Sequence, residues 1–340
     1  MKIVKPKKLK KGDVIGIISP ASSTSDFTRI EKGVKYLEKL GYRVEVGENV
    51  GKNHGYLAGT DEERLADLHS MFKNKNVKAI INVRGGYGSG RLLDKIDYSI
   101  IKQNPKIFVG YSDITALQMA FLNKTGLVTF AGPMLAVDFW KDEVNGFTEE
   151  FFWNMVTSSK KIGKIINPDN ENFYTLTKGR GEGNLVGGNL ALLVSLLGTS
   201  FAPNFKNSVI MLEEIGEEPY RIDRMLYQLK YATNNFKEVE GIIIGRFVDC
   251  YIKDKESPSL SLNDVISDYF EKLKIPVFYN VKHGHIEQNL TIPWGLKTKL
   301  NTSRNFIEIV ESAVSWFKIK LVSQTRIIGN WLLKLTKEFF

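Results

Sequence analysis

The sequence predicts an α/β fold in two domains, the first built on a mainly parallel sheet with helices on both faces. Three observations carry this. The chain has 340 residues, and at roughly 150 residues per domain that length suits two. Its first 130 residues alternate apolar strand runs with helical periodicity, the pattern of a parallel sheet whose crossovers are helices. A second series of strands and helices begins after a polar stretch, Lys160 to Gly183.

In order along the chain, Val14 to Ile18 is an apolar run of strand length, stopped by the turn-rich Ser19-Pro20-Ala21-Ser22-Ser23. Phe27 to Leu40 has helical spacing at Ile30, Val34, Leu37 and Leu40, and Gly41 ends it. Tyr42 to Val46 reads as a second strand. Thr60 caps the next helix, with Glu63 three residues on and Leu65, Leu68 and Phe72 as its apolar face. Ala79 to Val83 is a third strand and runs into Arg84-Gly85-Gly86-Tyr87-Gly88-Ser89-Gly90. Ile107-Phe108-Val109 is a fourth, followed by Gly110-Tyr111-Ser112-Asp113 and a helix from Ile114 to Leu122. The polar stretch reads as the inter-domain connection or a loop near it. Beyond it, Asn189 caps a helix from Leu190 to Leu197 that Gly198 closes. Val209 to Leu212 is a strand ending in Glu213-Glu214, Arg221 to Lys230 a helix, and Gly241 to Ile244 a short strand. Ile275-Pro276-Val277 leads to His283-Gly284-His285 and then to Pro293-Trp294-Gly295.

Composition narrows the class. With 43% hydrophobic and 25% charged residues, wholesale disorder and fibrous repeats are excluded. A single cysteine, Cys250, makes neither an intramolecular disulfide nor a Cys-rich zinc site. Met1 to Lys11 is basic, but no apolar run follows it, so no signal peptide is read. No apolar stretch reaches the ~18–20 residues of a spanning helix. The net charge of +9 is uneven, since residues 315–340 alone carry +4. Elsewhere acids and bases are interspersed, which favours a solvated mixed surface over a nucleic-acid footprint.

Ligand sites in open parallel sheets lie at the C-terminal ends of strands, which directs attention to Ser19–Ser23, Arg84–Gly90 and Tyr111–Asp113. Ser112 sits where a strand turns abruptly into a helix, a setting that lifts a side chain clear and offers free N–H groups to an oxyanion. The strict Gly-x-Ser-x-Gly elbow is absent, and the alternative is that Ser112 or Asp113 merely caps the helix. A nucleophilic serine needs a base and an orienting acid. Of the four histidines, His69 reads as a surface helix residue and His54 as a polar-loop residue. His283 and His285 lie in a loop setting suited to function, and because they are two apart they point to opposite faces of an extended segment. They lack the further ligands of a metal site. The candidate acid is Glu213 or Glu214, at a strand end. Arg84–Gly90 misses both the P-loop and the third glycine of a dinucleotide fingerprint. Glycines also let a backbone N–H approach a substrate carbonyl, so an oxyanion loop fits.

Together these motifs resemble the LD-carboxypeptidases, the muramoyltetrapeptide carboxypeptidase family of serine peptidases. The resemblance rests on Gly12-Asp13-x-Ile15-Gly16-x-Ile18-Ser19-Pro20-Ala21-Ser22, Arg84-Gly85-Gly86-Tyr87-Gly88, Gly110-Tyr111-Ser112-Asp113-Ile114-Thr115-Ala116-Leu117 and Gly132-Pro133-Met134. Gly187-Gly188-Asn189-Leu190, Leu212-Glu213-Glu214-x-x-Glu217-x-Pro219-Tyr220-Arg221-Ile222-Asp223-Arg224 and Gly284-His285…Pro293-x-Gly295 continue it, from about residue 10 to about 314. It implies an N-terminal parallel α/β domain over 1–160 carrying the nucleophile, and a smaller β-rich domain over 184–314 carrying acid and base. It implies a cytoplasmic, commonly dimeric enzyme that needs no cofactor or metal. The implied activity is cleavage of an L,D bond, releasing terminal D-alanine from murein tetrapeptides in cell-wall recycling. Ser112 matches the nucleophile, His285 the base and Glu213 the acid, with Glu214 as the alternative; the backbone N–H groups of Gly86 and Asp113 match the oxyanion donors.

A related group, the microcin-immunity peptidases, shares the triad but cleaves a peptide–nucleotide amide. The Glu217–Arg224 and Gly187–Asn189 runs look more like the cell-wall enzymes. A non-catalytic binder of peptidoglycan fragments has no need of a base and its orienting acid. Residues 315–340 exceed the family pattern. Ile328, Trp331, Leu332, Leu335 and Phe339 share one helical face there, which suits packing on the host or a poorly ordered tail better than a membrane surface.

Overall fold

The computed structural model describes residues 2–168, 171–254, 256 and 258–316. The first half runs β1 (Val14–Ile18), α1 (Thr28–Lys39), β2 (Arg43–Val46), α2 (Asp61–Lys73), β3 (Val77–Asn82), α3 (Tyr98–Gln103), β4 (Ile107–Val109), α4 (Thr115–Thr125), β5 (Phe130–Ala131) and α5 (Gly146–Thr157). The second runs β6 (Gly163–Ile165), β7 (Tyr174–Thr177), β8 (Arg180–Asn189), α6 (Leu190–Ser195), β9 (Ser208–Ile215), α7 (Pro219–Ala232), β10 (Val239–Val248), α8 (Leu262–Phe270), β11 (Val277–Tyr279), β12 (Ile292–Pro293), β13 (Lys297–Asn301) and β14 (Phe306–Ile309).

All five residues of β1 are buried, as a strand covered on both faces must be. The first sheet has the order β12-β5-β4-β3-β1-β2, and β1 through β5 are parallel. The strand order reverses at β1, whose neighbours β2 and β3 leave on opposite sides. A crevice therefore opens at the carboxyl ends of β1 and β3, where Ser19–Ser23 and Arg84–Gly90 begin. Helix boundaries follow the local chemistry. Thr60 and Glu63 form a reciprocal capping box on α2, and Asn189 caps α6 by accepting from the Leu192 N–H.

The second sheet is mixed, in the order β6-β14-β13-β8-β9-β10-β11-β7. Its centre, β8 through β11, is parallel, and its flanks are antiparallel. The stretch Lys160–Gly183 corrects the sequence reading: it holds β6, β7 and the start of β8 rather than a connection alone. A second crossing occurs late in the chain, where β12 pairs antiparallel with β5 and joins the first sheet.

Helix α4 is buried on every side from Thr115 to Leu122, the signature of a helix enclosed by the fold. Phe121 packs edge-on to Phe72 and Phe108, with ring centroids 5.7 and 5.0 Å away. The other end of α4 meets the second sheet, where the Asn189 N–H donates to Thr115 Oγ1 at 3.2 Å. Gln118 is buried within it; its amide donates to the Gly110 and Phe130 carbonyls and accepts from Trp294 Nε1. The turn before α4 is thus anchored from both halves of the chain. Among the described residues no helix is long and apolar enough to cross a membrane. The proposed helical face Ile328–Phe339 lies outside the described residues.

Candidate active site

Ser112 has φ of +62°. A non-glycine side chain in that region carries strain that surrounding structure must hold in place. The hold comes from both sides: Gly110 N–H donates to the Phe130 carbonyl, and Ile114 N–H to the Tyr111 carbonyl. A 3₁₀ turn, Ser112–Ile114, precedes α4, so the helix begins one residue later than the sequence suggested. Neither Ser112 nor Asp113 caps it; the N-cap is Ile114, without a side-chain bond. Asp113 is buried and accepts from the Ser89 N–H at 2.8 Å, while Ser89 Oγ donates to the Asp113 carbonyl at 2.6 Å. Burial pushes the Asp113 carboxyl above its ordinary range.

The glycine-rich loop lies against this turn. A Cβ on Gly85 would come within 2.9 Å of Ser112 Cβ and 3.3 Å of the Asp113 nitrogen, so only glycine permits the approach. Ser22, from the loop after β1, donates to the Tyr56 carbonyl and accepts from the Tyr87 N–H. Arg64 pins both loops from below, since its buried guanidinium donates to the Pro20 and Gly88 carbonyls and pairs with Asp61 at 2.6 Å. Asp61 also takes Arg91 and Lys95. The hydrogen bond from Arg91, with those from Lys95 and Arg64, holds its carboxyl far below the usual range. Among the described residues, the N–H groups of Gly86 and Asp113 have no hydrogen-bond partner.

The second sheet supplies the acid and the imidazole. Glu213 and Glu214 are both buried within β9, not solvated at its end. Successive strand residues face opposite ways, and these two part accordingly. Glu213 Oε2 lies 2.8 Å from His285 Nδ1. Glu214 accepts from Asn189 Nδ2 and from the Ala191 and Ile215 N–H groups, all at 2.8 Å. Burial lifts the Glu214 carboxyl to about 7. At His285 burial favours the neutral ring, but the hydrogen bond and charge of Glu213, with Glu214 and Asp138, prevail and raise its pKa. With Nδ1 bonded to a carboxylate, the neutral ring leaves Nε2 as the free base.

The remaining histidines go elsewhere. His283 is fully buried, Nδ1 is 2.7 Å from the Leu290 carbonyl, and burial lowers its pKa. His69 is not a free surface group, because its Nε2 accepts the Asp97 N–H at 3.0 Å. The backbone of His54 bridges to Leu57. The Tyr111 ring stands edge-on to the His285 ring with centroids 5.2 Å apart, which puts Ser112 one residue from the side chain that packs on the imidazole. Ser112 in the turn after β4, Glu213 in β9 and His285 in the loop after β11 are thus gathered around Tyr111 and the imidazole.

Sequence reasoning missed Asp138. Its carboxyl accepts from the Met134 N–H at 2.8 Å, and burial pushes it up to about 6. It carries no motif, and only its place beside Tyr111 and His285 singles it out. A cavity of about 620 Å³ lies behind the glycine loop, lined by Gly86, Tyr87, Asp113, Leu192 and Phe201. Neither Ser112 nor His285 lines it. Among the described residues no group of three or more His, Cys, Asp or Glu is arranged to hold a metal ion. A strained serine, unpartnered N–H groups on the next residue and on the adjoining glycine loop, and an imidazole engaged by a buried carboxylate form a set suited to acyl transfer.

Known proteins share this organisation. Residues 15–132 match the family described as LD-carboxypeptidase N-terminal domain, and residues 182–300 match LD-carboxypeptidase C-terminal domain. A Bacillus subtilis (strain 168) protein named probable murein peptide carboxypeptidase is 42% identical over 312 residues, covering 92% of this chain and 95% of that one. Among solved structures, muramoyltetrapeptide carboxypeptidase from Oxalobacter formigenes aligns with a TM-score of 0.76 at 30% identity, covering 89% and 99% of the two chains. The ligand-free microcin C7 self-immunity protein MccF aligns with a TM-score of 0.83 at 27% identity, covering 92% and 100%.

Proposed function

The chain belongs to the LD-carboxypeptidase family of serine peptidases, and we propose that it hydrolyses the L,D bond releasing terminal D-alanine from murein tetrapeptides. The observation that carries the reading is the Glu213–His285 pair at 2.8 Å beside the strained Ser112 turn. In this reading Ser112 Oγ attacks the scissile carbonyl carbon while His285 Nε2 takes its proton. Glu213 holds the imidazole by Nδ1 and stabilises the imidazolium. The N–H groups of Gly86 and Asp113 receive the oxyanion. His285 then gives the proton to the departing amine, D-alanine leaves, and water repeats the sequence on the acyl-enzyme.

The relative named as a murein peptidase shares more sequence with this chain than MccF does, which supports the cell-wall substrate over a peptide–nucleotide amide. The reading extends to a homodimer acting in the cytoplasm on recycled wall fragments, which rests on family resemblance alone. Incubation with murein tetrapeptide and with a peptidyl–nucleotide amide, followed by mass analysis, tests the substrate. Tripeptide and free D-alanine from the first and no cleavage of the second are expected; the reverse pattern would overturn it.

A further inference from the structure

A carboxypeptidase must distinguish the end of a peptide from its interior, and the mark of the end is a free α-carboxylate. In the substrate that group stands three bonds from the scissile carbonyl carbon, so its anchor has to lie beside the nucleophile. Cations near the site are mostly engaged. Arg64, Arg91 and Lys95 converge on Asp61, Lys141 pairs with Glu287, and Lys282 with Glu171.

Arg84 differs. It opens the loop whose next residue, Gly85, abuts Ser112. It makes no ion pair among the described residues, and its one hydrogen bond is a long one, from Nη1 to the Ser23 carbonyl at 3.3 Å. It is half-buried, so its charge is kept at the rim without an acid to balance it. Its Nη2 lies 3.8 Å from where a Cβ on Gly86 would stand; the guanidinium therefore borders the backbone whose N–H faces no partner. A guanidinium has five N–H donors in a planar fork that matches a carboxylate bidentately, and here most of them are uncommitted.

We infer that Arg84 is the specificity residue that binds the α-carboxylate of the leaving C-terminal residue. The inference rests on the carboxypeptidase reading above and adds what makes the enzyme an exopeptidase. The experiment compares a murein tetrapeptide with its C-terminal amide, in wild type, Arg84→Met and Arg84→Lys. Charge-assisted bidentate bonds contribute enough that amidation should cost the wild type on the order of 10²-fold in kcat/KM. It should cost Arg84→Met less than threefold, and the loss in Arg84→Met on the free acid should fall mainly on KM. Arg84→Lys should regain part of the preference for the acid. An Arg84→Met enzyme that keeps the full wild-type preference overturns the inference while leaving the function intact. A wild type that cleaves neither peptide overturns the carboxypeptidase reading itself, and this inference with it.

Discussion

Glu213 and Glu214 are adjacent in sequence and face unrelated tasks. Glu213 engages the imidazole, whereas Glu214 ties β9 to the start of α6 through two hydrogen bonds and accepts a third from the Ile215 N–H of its own strand. Glu213→Gln should therefore lower kcat on the order of 10⁴-fold with the fold intact, because the amide cannot stabilise an imidazolium. Glu214→Gln should instead destabilise by about 1–3 kcal/mol, since one buried N–H loses its acceptor, and keep most of the turnover. Thermal melts and steady-state rates on both variants check this; swapped phenotypes would move the acid to Glu214. The two histidines divide in the same way. His285→Ala should lose nearly all activity, and His283→Ala, whose ring contacts the Leu290 carbonyl, should keep much more. The pH profile follows from the charges around His285. The base works when neutral, so activity rises with pH through its pKa, and that pKa is raised. The midpoint of the acid limb of kcat/KM should lie above ~6.5, the ordinary imidazole value. Removing a nearby carboxylate with Asp138→Asn should lower that midpoint. A limb at or below ~6.5, unmoved by Asp138→Asn, would contradict the electrostatics described here.

At the scale of elements, the loops that meet at Ser112 are held by residues distant from any chemistry. Arg64 spans the Pro20 and Gly88 carbonyls from within α2. Arg64→Leu should cost about 3 kcal/mol, because two buried carbonyls and part of a buried ion pair lose their partner. It should also lower kcat by loosening the glycine loop; an unchanged melting temperature would remove Arg64 from this role. Such supports were hard to read from sequence. Strands β1, β3 and β4 declared themselves as buried apolar runs, β2 by the alternation of Tyr42, Val44 and Val46 although it is largely exposed, and the Ser112 turn by its place after a strand; the two-residue β5 was too short to show. Strands β6 and β7 did not, because each is a sheet edge, short and paired on one side, where the apolar pattern is weak. Strand β8 was half hidden, since four of its ten residues are glycine. A Cβ at Gly187 would come within 1.9 Å of the Met211 carbonyl oxygen, so those glycines serve close strand approach but look like loop. The acids of β9 looked like rim residues because a strand's end is not marked when its last residues are charged and buried.

At the scale of the molecule, the candidate site exists only where the two sheets meet. Ser112 and its loops come from the first sheet, and Glu213 and His285 from the second. Helix α4 is buried between them, with Thr115 bonded to Asn189 at one end. Strand β12, although late in the chain, completes the first sheet beside β5. This interlocking is what lets the proposed triad run in the order Ser, Glu, His across more than 170 residues. The sequence separations alone, 101 from Ser112 to Glu213 and 72 from Glu213 to His285, carry no hint of contact; the motifs around each residue did. The most direct test of the whole account is D-alanine release from murein tetrapeptide by wild type and by Ser112→Ala, with circular dichroism confirming that both are folded. The account predicts stoichiometric D-alanine and tripeptide from the wild type, and a loss on the order of 10⁴–10⁶-fold in the variant. Equal release by a folded Ser112→Ala protein would contradict it.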